Sequence, residues 1–517
     1  MRGTQEQDPT TTHQHQPAAV TGGRWIHGWD PEDPEVWELI GRRTARKNLA
    51  VSVVTDHLGF CLFAIWSIIV INLGNAGITL TLSQQFALTL IPTLVGSALR
   101  IPYTFALPRF GGRAWTTFSA AVLLLPAGLI ALVVPSGWLA HQGPHAQFWL
   151  LSACAATAGL GGAIFASSMA NISFFYPERE KGFALGLNAA GGNLGVAVSQ
   201  LFVPLVLIAG VSSAAVKLPK HPVHLAYAGW VFVPLIVIAA LAAWLFMDSL
   251  ADAKADKGSY RAALATPQTW VLSLLYVGTF GSFIGFSFAL PLVIKNTFPE
   301  FLATHPFIAT YLTGLSFLGA LVGSLSRPVG GYLADRVGGA RVTAAVFAAM
   351  ALFTGVAAYG VTQRSFGLFL GSYLVIFLLS GLGNGSIYKI IPSVFALLGM
   401  RRAAEAGVDP RTAALEFKRR AAAVIGIAGA IGAFGGALVQ VVFRQASLGV
   451  SALVSAATTP AAKLAVASAH ADWSVPALRV FLGAYLVFAL VTWAAFIRSP
   501  KRCAEEPQLA SSLSTAP

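Results

Sequence analysis

The feature that most restricts the fold of this chain is a series of twelve long apolar stretches separated by short polar loops. A helix needs about 20 mostly apolar residues to cross the hydrocarbon core of a bilayer. Only 11% of the residues are charged, whereas a typical soluble domain has about 25%. We therefore predict an all-α, multi-pass membrane protein with spans near residues 49–73, 84–108, 114–135, 147–175, 183–209, 226–248, 269–294, 309–333, 342–361, 367–398, 421–444 and 476–498.

The polar residues divide the chain into five predicted regions. Residues 1–48 are rich in Thr, Gln, His and Pro, and we expect a disordered extension without a cleaved signal peptide. Two six-helix bundles follow at 49–248 and 269–498, joined by a charged linker at 249–268, and a tail occupies 499–517. His13 and His15 belong to the polar extension, so we expect neither a metal site nor a cofactor there.

The positive charges indicate the orientation of the chain in the membrane. Of the 34 Lys and Arg residues, 24 fall on the side of the two termini, 7 on the opposite side and 3 inside spans. Because positively charged loops remain cytoplasmic, we expect both termini to be cytoplasmic and the protein to lie in the cytoplasmic (inner) membrane. The net charge of +13 then follows from topology, with contacts to lipid headgroups and no binding of nucleic acid.

Two pairs of spans repeat at a distance of six spans. The sequence from Gly96 to Arg100 (GSALR) is similar to that from Gly323 to Arg327 (GSLSR), and a glycine pair begins eleven residues after each arginine. The fifth and eleventh spans match at a constant offset of 240 residues, with Gly186, Ala190, Gly192, Gly195, Ala197 and Gln200 equivalent to Gly426, Ala430, Gly432, Gly435, Ala437 and Gln440. The repeat predicts two pseudo-symmetric six-helix bundles in parallel orientation, as in the major facilitator fold.

The matched arginines carry the clearest chemical prediction. Arg100 and Arg327 lie well inside spans two and eight, where a charge costs at least about 2.5 kcal/mol. Two guanidinium groups that face one cavity repel each other unless an anion lies between them, and their forked donors match planar oxyanions. The pair therefore predicts an anionic substrate. The alternative is that each arginine only anchors its helix by bonding backbone carbonyls near Pro102 and Pro328.

The fifth span is unusually rich in glycine, although glycine costs about 1 kcal/mol relative to alanine in a helix. Small residues allow membrane helices to approach closely, and polar groups in such helices tend to face a cavity. The glycines and asparagines concerned are Gly186, Asn188, Gly191, Gly192, Asn193 and Gly195, and the eleventh span repeats the glycines at Gly426, Gly429, Gly432 and Gly435 but has no asparagine.

The stretch from Gly159 to Gln200, with FASSMANISFFYPEREKG and the glycine helix after it, closely resembles the signature segment of the NarK-type nitrate/nitrite porters of the major facilitator superfamily. LVGSALRIPYTF around Arg100 and LYVGTFGSFIGF from Leu275 to Phe286 are similar as well, and the resemblance extends over residues 50–498. It implies a secondary transporter of nitrate and nitrite that works by alternating access, acts in nitrate assimilation and is not an enzyme.

The resemblance also implies functions for particular residues. Residue by residue, it assigns nitrate contacts to Arg100, Arg327, Phe165, Tyr276, Phe280 and Asn193. Aromatic residues in membrane helices more often face lipid or pack against neighbouring helices, and this is the alternative interpretation for Phe165, Tyr276 and Phe280. Asp335 and Arg336, in GYLADRVG, resemble the loop motif that locks the cytoplasmic gate, and the equivalent loop from Ala106 to Arg113 lacks the aspartate.

The mechanism of coupling rests on two further residues. Moving an anion into a cell with a negative interior costs about 2.3 kcal/mol per charge per 100 mV, so the carrier must bring protons or exchange anions. Nitrate is a weak base, so symport requires a titratable group in the protein, and Asp56 in span one and Lys389 in span ten are the candidates. Related porters with an acidic residue in span one resemble the proton-coupled branch, and we expect nitrate/proton symport. The alternative for Asp56 and His57 is a capping or interfacial role.

Other functions fit the sequence less well. A nitrate/nitrite antiporter is the nearest alternative, and an organic-anion/proton symporter with the same arginine pair would need a larger cavity. A nitrate sensor or scaffold is a further alternative, because the N-terminal extension and the loop between Arg401 and Arg420 offer docking surfaces. We expect the protein to act as a monomer, since each chain encloses a complete site.

Overall fold

The computed structural model describes residues 19–21, 24–216, 221–251 and 257–498 of the chain. Within these residues, eleven helices are long and apolar enough to cross a membrane. A twelfth, α8, is less apolar because it contains Arg327 among serines and glycines. The twelve are α1 (Pro34–Asn72), α2 (Leu82–Phe110), α3 (Gly112–Leu132), α4 (Pro144–Phe175), α5 (Glu178–Leu207), α6 (Leu225–Phe246), α7 (Pro267–Thr297), α8 (Phe317–Val337), α9 (Gly339–Thr362), α10 (Phe366–Ala406), α11 (Pro410–Ala456) and α12 (Val475–Ile497). The predicted all-α, twelve-helix fold is confirmed.

Short elements lie between the long helices. The helices are Gly137–Ala140, Ser213–Val216, Lys257–Leu264, Pro299–Thr304, Pro306–Tyr311, Pro460–Ala469 and the 3₁₀ turn Thr313–Leu315. The strands β1 (Ala19–Thr21), β2 (Trp25–His27) and β3 (Ser249–Leu250) form one small sheet, in which β2 pairs antiparallel with β1 and parallel with β3.

The repeated glycine pairs mark equivalent helix ends in the two halves. Helix α2 ends at Gly111, which has a φ of 79°, and α8 ends at Gly338, which has a φ of 95°. Residues with a Cβ rarely adopt such backbone angles. The glycines therefore allow the chain to leave one helix and to enter the next, α3 or α9, at once.

Each half is held together by the same kinds of helix pairs. Helix α1 packs on α5 and α2 on α4 in the first half, and α7 packs on α11 and α8 on α10 in the second. Glycines allow the closest approaches, because a Cβ on Gly195 would meet the backbone of α1 and a Cβ on Gly435 would meet Gly281 of α7. The predicted role of the glycine-rich helices in close packing agrees with this arrangement.

The two halves pack against each other mainly at the end of the bundle remote from the linker. There, Phe86 of α2 stacks on Phe443 of α11 at 5.7 Å between ring centroids, and Thr89 donates to Gln440 at 2.8 Å. At the linker end, Glu178 at the start of α5 forms an ion pair of 3.2 Å with Lys418 at the start of α11.

The structure differs from the expectation that residues 1–48 are disordered. Residues 24–33, which we call the N-terminal strap, run across the linker end of the first half. Arg24 bonds Asp248 at 2.8 Å, Trp29 donates to the carbonyl of Phe174 at 3.2 Å, and α1 begins at Pro34. Composition alone suggests disorder, but these distant partners order the segment. Residues 1–18, with His13 and His15, and 22–23 lie outside the described residues.

Three other boundaries differ from the prediction. The linker predicted at 249–268 begins with β3 and contains the helix Lys257–Leu264, whereas residues 252–256 and the tail at 499–517 are outside the described part. Helices α10 and α11 have 41 and 47 residues and extend well past the predicted spans. Hydropathy identifies only the apolar part of a helix, whereas Ala, Arg and Glu continue it in water.

Candidate functional site

An aromatic pair on α7 forms one wall of the candidate site. The rings of Tyr276 and Phe280 stack with centroids 5.2 Å apart and planes inclined by 9°. The helix is π-helical from Val277 to Gly281, and such turns are frequent at functional sites. Both side chains are buried, so the two rings form a continuous surface inside the protein.

Arg100 lies against this wall from α2. It is 1% exposed, and its guanidinium carbon is 5.1 Å from the centre of the Phe280 ring and 5.0 Å from that of Phe165 on α4. Its Nε donates to the carbonyl of Gly162 at 3.1 Å, and Nη1 donates to that of Gly429 at 2.8 Å. The anchoring to backbone carbonyls that was the alternative interpretation therefore exists, but Nη2 is buried and has no partner in the described part of the chain.

Arg327 reaches the same wall from α8. Its Nη2 donates to the hydroxyl of Tyr276 at 3.0 Å, and its guanidinium carbon lies 5.6 Å from the centre of the Phe280 ring. It is 6% exposed, and its Nη1 is buried without a partner among residues 19–21, 24–216, 221–251 and 257–498. Arg100 and Arg327, equivalent in sequence, thus meet at one phenylalanine ring.

The electrostatics of this arrangement favour an anion. Neither arginine of the pair hydrogen-bonds a carboxylate among the described residues. A buried charge without a counter-ion is costly, and guanidinium N–H groups form strong charge-assisted bonds to oxyanions. Two such groups, each with a free donor beside aromatic faces, can bind a small, flat, negatively charged ion.

The asparagines of α5 have different surroundings. Asn193 is fully buried, and of the residues that the structure describes, none forms a hydrogen bond with its amide nitrogen or oxygen. Asn188 donates to Ser168 at 2.6 Å and ties α5 to α4. Asn193 thus has amide groups that are available to an anion, whereas Asn188 forms a contact between helices. Of the predicted residues, the side chains that contact the two arginines are those of Phe165, Tyr276 and Phe280.

The signature glycines divide into two groups. Most lie where a neighbouring helix, α1 or α7, leaves no room for a Cβ, and these are Gly191, Gly192, Gly195, Gly432 and Gly435. The contact at Gly426 is looser, because a Cβ there would lie 3.2 Å from the hydroxyl of Tyr260 in the linker helix. Gly186 and Gly429 have no atom of another element within 4 Å of the position a Cβ would take. For Gly429, the relevant group is its carbonyl, which accepts from Arg100.

Asp56 of α1 is fully buried, and within the described ranges neither carboxylate oxygen has a hydrogen-bond partner. It lies against Gly192 of α5, where a Cβ would be 2.6 Å from Oδ2. One helical turn later, the Phe60 ring packs edge-on against that of Phe165 at 5.8 Å. Asp56 therefore lies in the interior close to the site, not at a helix cap. His57 bonds the carbonyl of Gly191 at 2.9 Å.

The structure does not place Lys389 where the coupling hypothesis requires it. Its side chain is 51% exposed and forms an ion pair of 3.0 Å with Asp335, which is 55% exposed. The hypothesis requires a desolvated amine, but this part of α10 lies at the linker end. Asp335 thus ties α8 to α10, and Arg336 lies over the ring of Tyr332 at 4.4 Å.

Sequence reasoning missed Tyr388 of α10. Its ring packs edge-on against Tyr276 at 5.3 Å and faces the guanidinium of Arg327 at 5.9 Å. The sequence contains a signal for it, because Gly-Leu-Gly occurs at 159–161 in α4 and at 381–383 in α10. This third repeat places Tyr388 next to the position equivalent to Phe165. Arg100 thus has an aromatic neighbour from α4, Phe165, and Arg327 has one from α10, Tyr388.

Known proteins resemble this chain along most of its length. The profile of the Major Facilitator Superfamily matches residues 57–439. The nitrate/nitrite transporter NarU of Escherichia coli is 36% identical over 481 residues, which is 92% of this chain and 96% of that protein. A probable nitrate/nitrite antiporter of Thermus thermophilus, NarK2, is 34% identical over 72% of this chain and 83% of its own length.

Solved structures agree on the fold. A bacterial homologue of the human lysosomal transporter Spinster, in an inward-facing and occupied conformation, superposes with a TM-score of 0.61 at 15% identity, covering 88% of this chain and 98% of the other. At this level of identity, the likeness concerns the fold alone.

Proposed function

This chain belongs to the Major Facilitator Superfamily and, within it, to the NarK-type nitrate/nitrite porters, and from that premise we propose that it carries nitrate across the membrane by alternating access, together with protons. The protein is a multi-pass membrane transporter and not an enzyme. Nitrite is the second anion that we assign to it, because the relatives' names include both anions.

The observation that carries the proposal is the convergence of Arg100 and Arg327 on Phe280. Each guanidinium is buried and keeps one N–H group without a partner, and together they match a planar oxyanion. The Phe165 and Phe280 rings are nearly parallel, with planes inclined by 21° and centroids 6.1 Å apart. This geometry favours a flat ion over a bulky organic anion, which would need the rings to separate further.

Asp56 is the group that we assign to proton coupling. A buried carboxylate without a hydrogen-bond partner carries a large desolvation cost, which the charge of Arg100 offsets only in part, and a bound proton removes that carboxylate charge. Asp56 is buried without a partner and is linked to the anion site through Phe60 and Phe165. It thus offers a proton-binding group beside the anion, as symport into a negative interior requires.

Exchange of nitrate for nitrite is the second candidate. The observation that favours it is the 34% identity to a protein named as a probable nitrate/nitrite antiporter. In an exchanger, the buried arginine pair would hold an anion during each crossing, and Asp56 would be a structural residue.

We further place both termini on the cytoplasmic side of the inner membrane and take one chain as the functional unit. The excess of Lys and Arg on the side of the termini supports the orientation. The monomer is supported by the position of the arginine pair, which lies between the two halves of a single chain.

The proposal is tested by nitrate uptake into sealed liposomes that contain the purified protein. An inward proton gradient is imposed, and the interior holds either buffer or nitrite; liposomes without protein are the control. Uptake driven by the gradient with an empty interior supports symport. Uptake that requires internal nitrite and ignores the gradient establishes exchange, and the absence of nitrate movement under both conditions refutes the proposed function.

A further inference from the structure

The part of α10 that faces the candidate site contains a buried amide without partners. Asn384 is fully buried, and neither its amide nitrogen nor its amide oxygen forms a hydrogen bond with any residue that the structure describes. Buried side-chain amides are normally bonded, because leaving them unpaired in a dry interior is costly. An unpaired buried amide of this kind indicates a hydrogen-bond partner that is present when the protein functions.

The neighbours of Asn384 along α10 show which way it faces. Residues four apart share a helix face, and Ser380 and Tyr388 flank Asn384 at this spacing. Ser380 donates to the carbonyl of Thr279 on α7 at 2.9 Å. Tyr388 contacts Tyr276 of α7 and lies over Arg327 of α8. Asn384 is therefore on the face that looks towards the aromatic wall.

The two glycines that flank Asn384 in sequence further define the direction of its side chain. Gly383 faces Thr279 of α7, and Gly385 lies against the carbonyl of Arg327 on α8. Asn384 lies between these two glycines in sequence. The contacts of Ser380 and Tyr388 show that its helix face lies between the α7 contact of Gly383 and the α8 contact of Gly385. Its side chain thus lies between α7 and α8, where the side chains of Arg327 and Tyr276 meet.

The internal repeat gives independent support. When the Gly-Leu-Gly triplets at 159–161 and 381–383 are aligned, Asn384 is equivalent to Gly162. Gly162 holds Arg100 through its carbonyl, so this position of the fourth helix in each half lies beside the arginine of that half. In the second half, the position carries an amide.

We propose that Asn384 donates a hydrogen bond to the transported anion and thereby adds a second residue of α10, beside Tyr388, to the anion site. The inference rests on the proposed function and adds a residue to it. Nitrate has three acceptor oxygens, and Arg100 Nη2 and Arg327 Nη1, which have no partner among the described residues, would supply two separate donors. An amide N–H from Asn384 covers a further oxygen without adding charge.

The test is equilibrium binding of potassium nitrate to the purified full-length protein, measured by calorimetry for the wild type and for Asn384→Leu. Leucine keeps the shape of the side chain and removes both polar atoms. We expect the dissociation constant for nitrate to rise about tenfold or more, the range for a hydrogen bond to a charged group, and Asn384→Ser to recover part of the loss.

A structural role is distinguished by thermal unfolding with potassium nitrate or potassium chloride. Because the leucine removes an unpaired polar group, the unfolding temperature in chloride should stay the same or rise, whereas the stabilisation by nitrate should shrink. Asn296→Leu is the matched control, since Asn296 bonds only within α7, 16 residues beyond Phe280.

Two results would overturn the inference. One is a nitrate affinity of Asn384→Leu within twofold of the wild type. The other is a lower unfolding temperature in chloride with unchanged nitrate stabilisation, which would make Asn384 a structural residue. If the wild type itself binds no nitrate, the proposed function fails, and that result is separate from both.

Discussion

Arg100 of the first half donates a 2.8 Å hydrogen bond to the carbonyl of Gly429 in the second half. The bond crosses between the halves at the level of the aromatic wall, while Nε of the same side chain is held by Gly162 in its own half. In the proposed function, an anion that binds Arg100 acts on a residue that already connects the two halves, so that anion binding and the relative movement of the halves share this one guanidinium.

Replacement of Arg100 by lysine should weaken nitrate binding strongly. A lysine keeps the charge but has a single ammonium, which cannot contact Gly162, Gly429 and an anion in the same fork geometry. We expect the dissociation constant for nitrate to rise roughly tenfold to a hundredfold, as measured by calorimetry. Arg109→Lys, an exposed arginine on the same helix, is the control and should bind like the wild type. Equal affinities for both variants would contradict the proposed site.

Removal of the Tyr276 hydroxyl should have a smaller effect. Phenylalanine keeps the stacking on Phe280 and takes away only the acceptor for Arg327 Nη2. Loss of such a bond corresponds to roughly a three- to tenfold rise in KM for nitrate, measured by initial uptake rates in liposomes. Tyr359→Phe, with an exposed side chain on α9, should leave KM unchanged. A KM for Tyr276→Phe equal to that of the wild type would show that Arg327 does not need this partner.

Asp56→Asn should separate anion movement from proton movement. The amide has nearly the same shape but cannot take up a proton, so uptake should no longer respond to an imposed pH gradient. In the wild type, we expect nitrate uptake to fall as the external pH rises, because fewer carboxyl groups are protonated, and in the variant we expect a flat profile. The measurement is initial uptake over a series of external pH values. A pH profile unchanged by the substitution would assign coupling to another group.

The ion pair between Glu178 and Lys418 predicts a charge-swap effect. The pair joins the halves at the linker end and is largely exposed, so its contribution is about 0.2–1 kcal/mol. Glu178→Lys and Lys418→Glu should each change the uptake rate by up to about fivefold, and the double variant should return towards the wild type. The difference should shrink in high salt. Additive effects of the two substitutions would mean that the pair does not act as a unit.

Two ion pairs of contrasting exposure predict different losses of stability. Asp248 is buried and bonds Arg24, Lys47 and Asn48, so Asp248→Asn should lower the unfolding free energy by about 3 kcal/mol. Asp335→Asn breaks an exposed pair with Lys389 and should cost at most about 1 kcal/mol. Thermal unfolding of the two variants in detergent tests the comparison. Similar losses would show that the strap adds little to the stability of the first half.

Much of this architecture follows from local sequence. Apolar length identifies the spans, and the repeated GSxxR segments by themselves assign Arg100 and Arg327 to equivalent positions of the two halves. The burial of both arginines on one aromatic wall follows from that symmetry, because equivalent residues of two parallel halves face each other across the axis between them.

The rest depends on contacts that composition does not record. Strands β2 and β3 have three and two residues and lie more than 200 residues apart, so no periodicity identifies them. Hydropathy assigns Lys389 to the membrane because a further apolar run follows it in the sequence. The exposed ion pair with Asp335 shows that the helix has already left the core at this position. The sequence alone does not single out Asn384. The residue becomes informative because its buried amide has no hydrogen-bond partner among the described residues.

The N-terminal strap has a consequence for biosynthesis. Its partners Asp248, Phe174 and the backbone N–H of Glu178 all precede the linker helix. The segments that lead into and out of the first six-helix bundle are therefore joined to each other by contacts that involve no residue of the second bundle. Every group that this closure requires is encoded in the first half of the message, so the first bundle can close before the second is complete, in keeping with the tendency of domains to fold as units in the order of their synthesis.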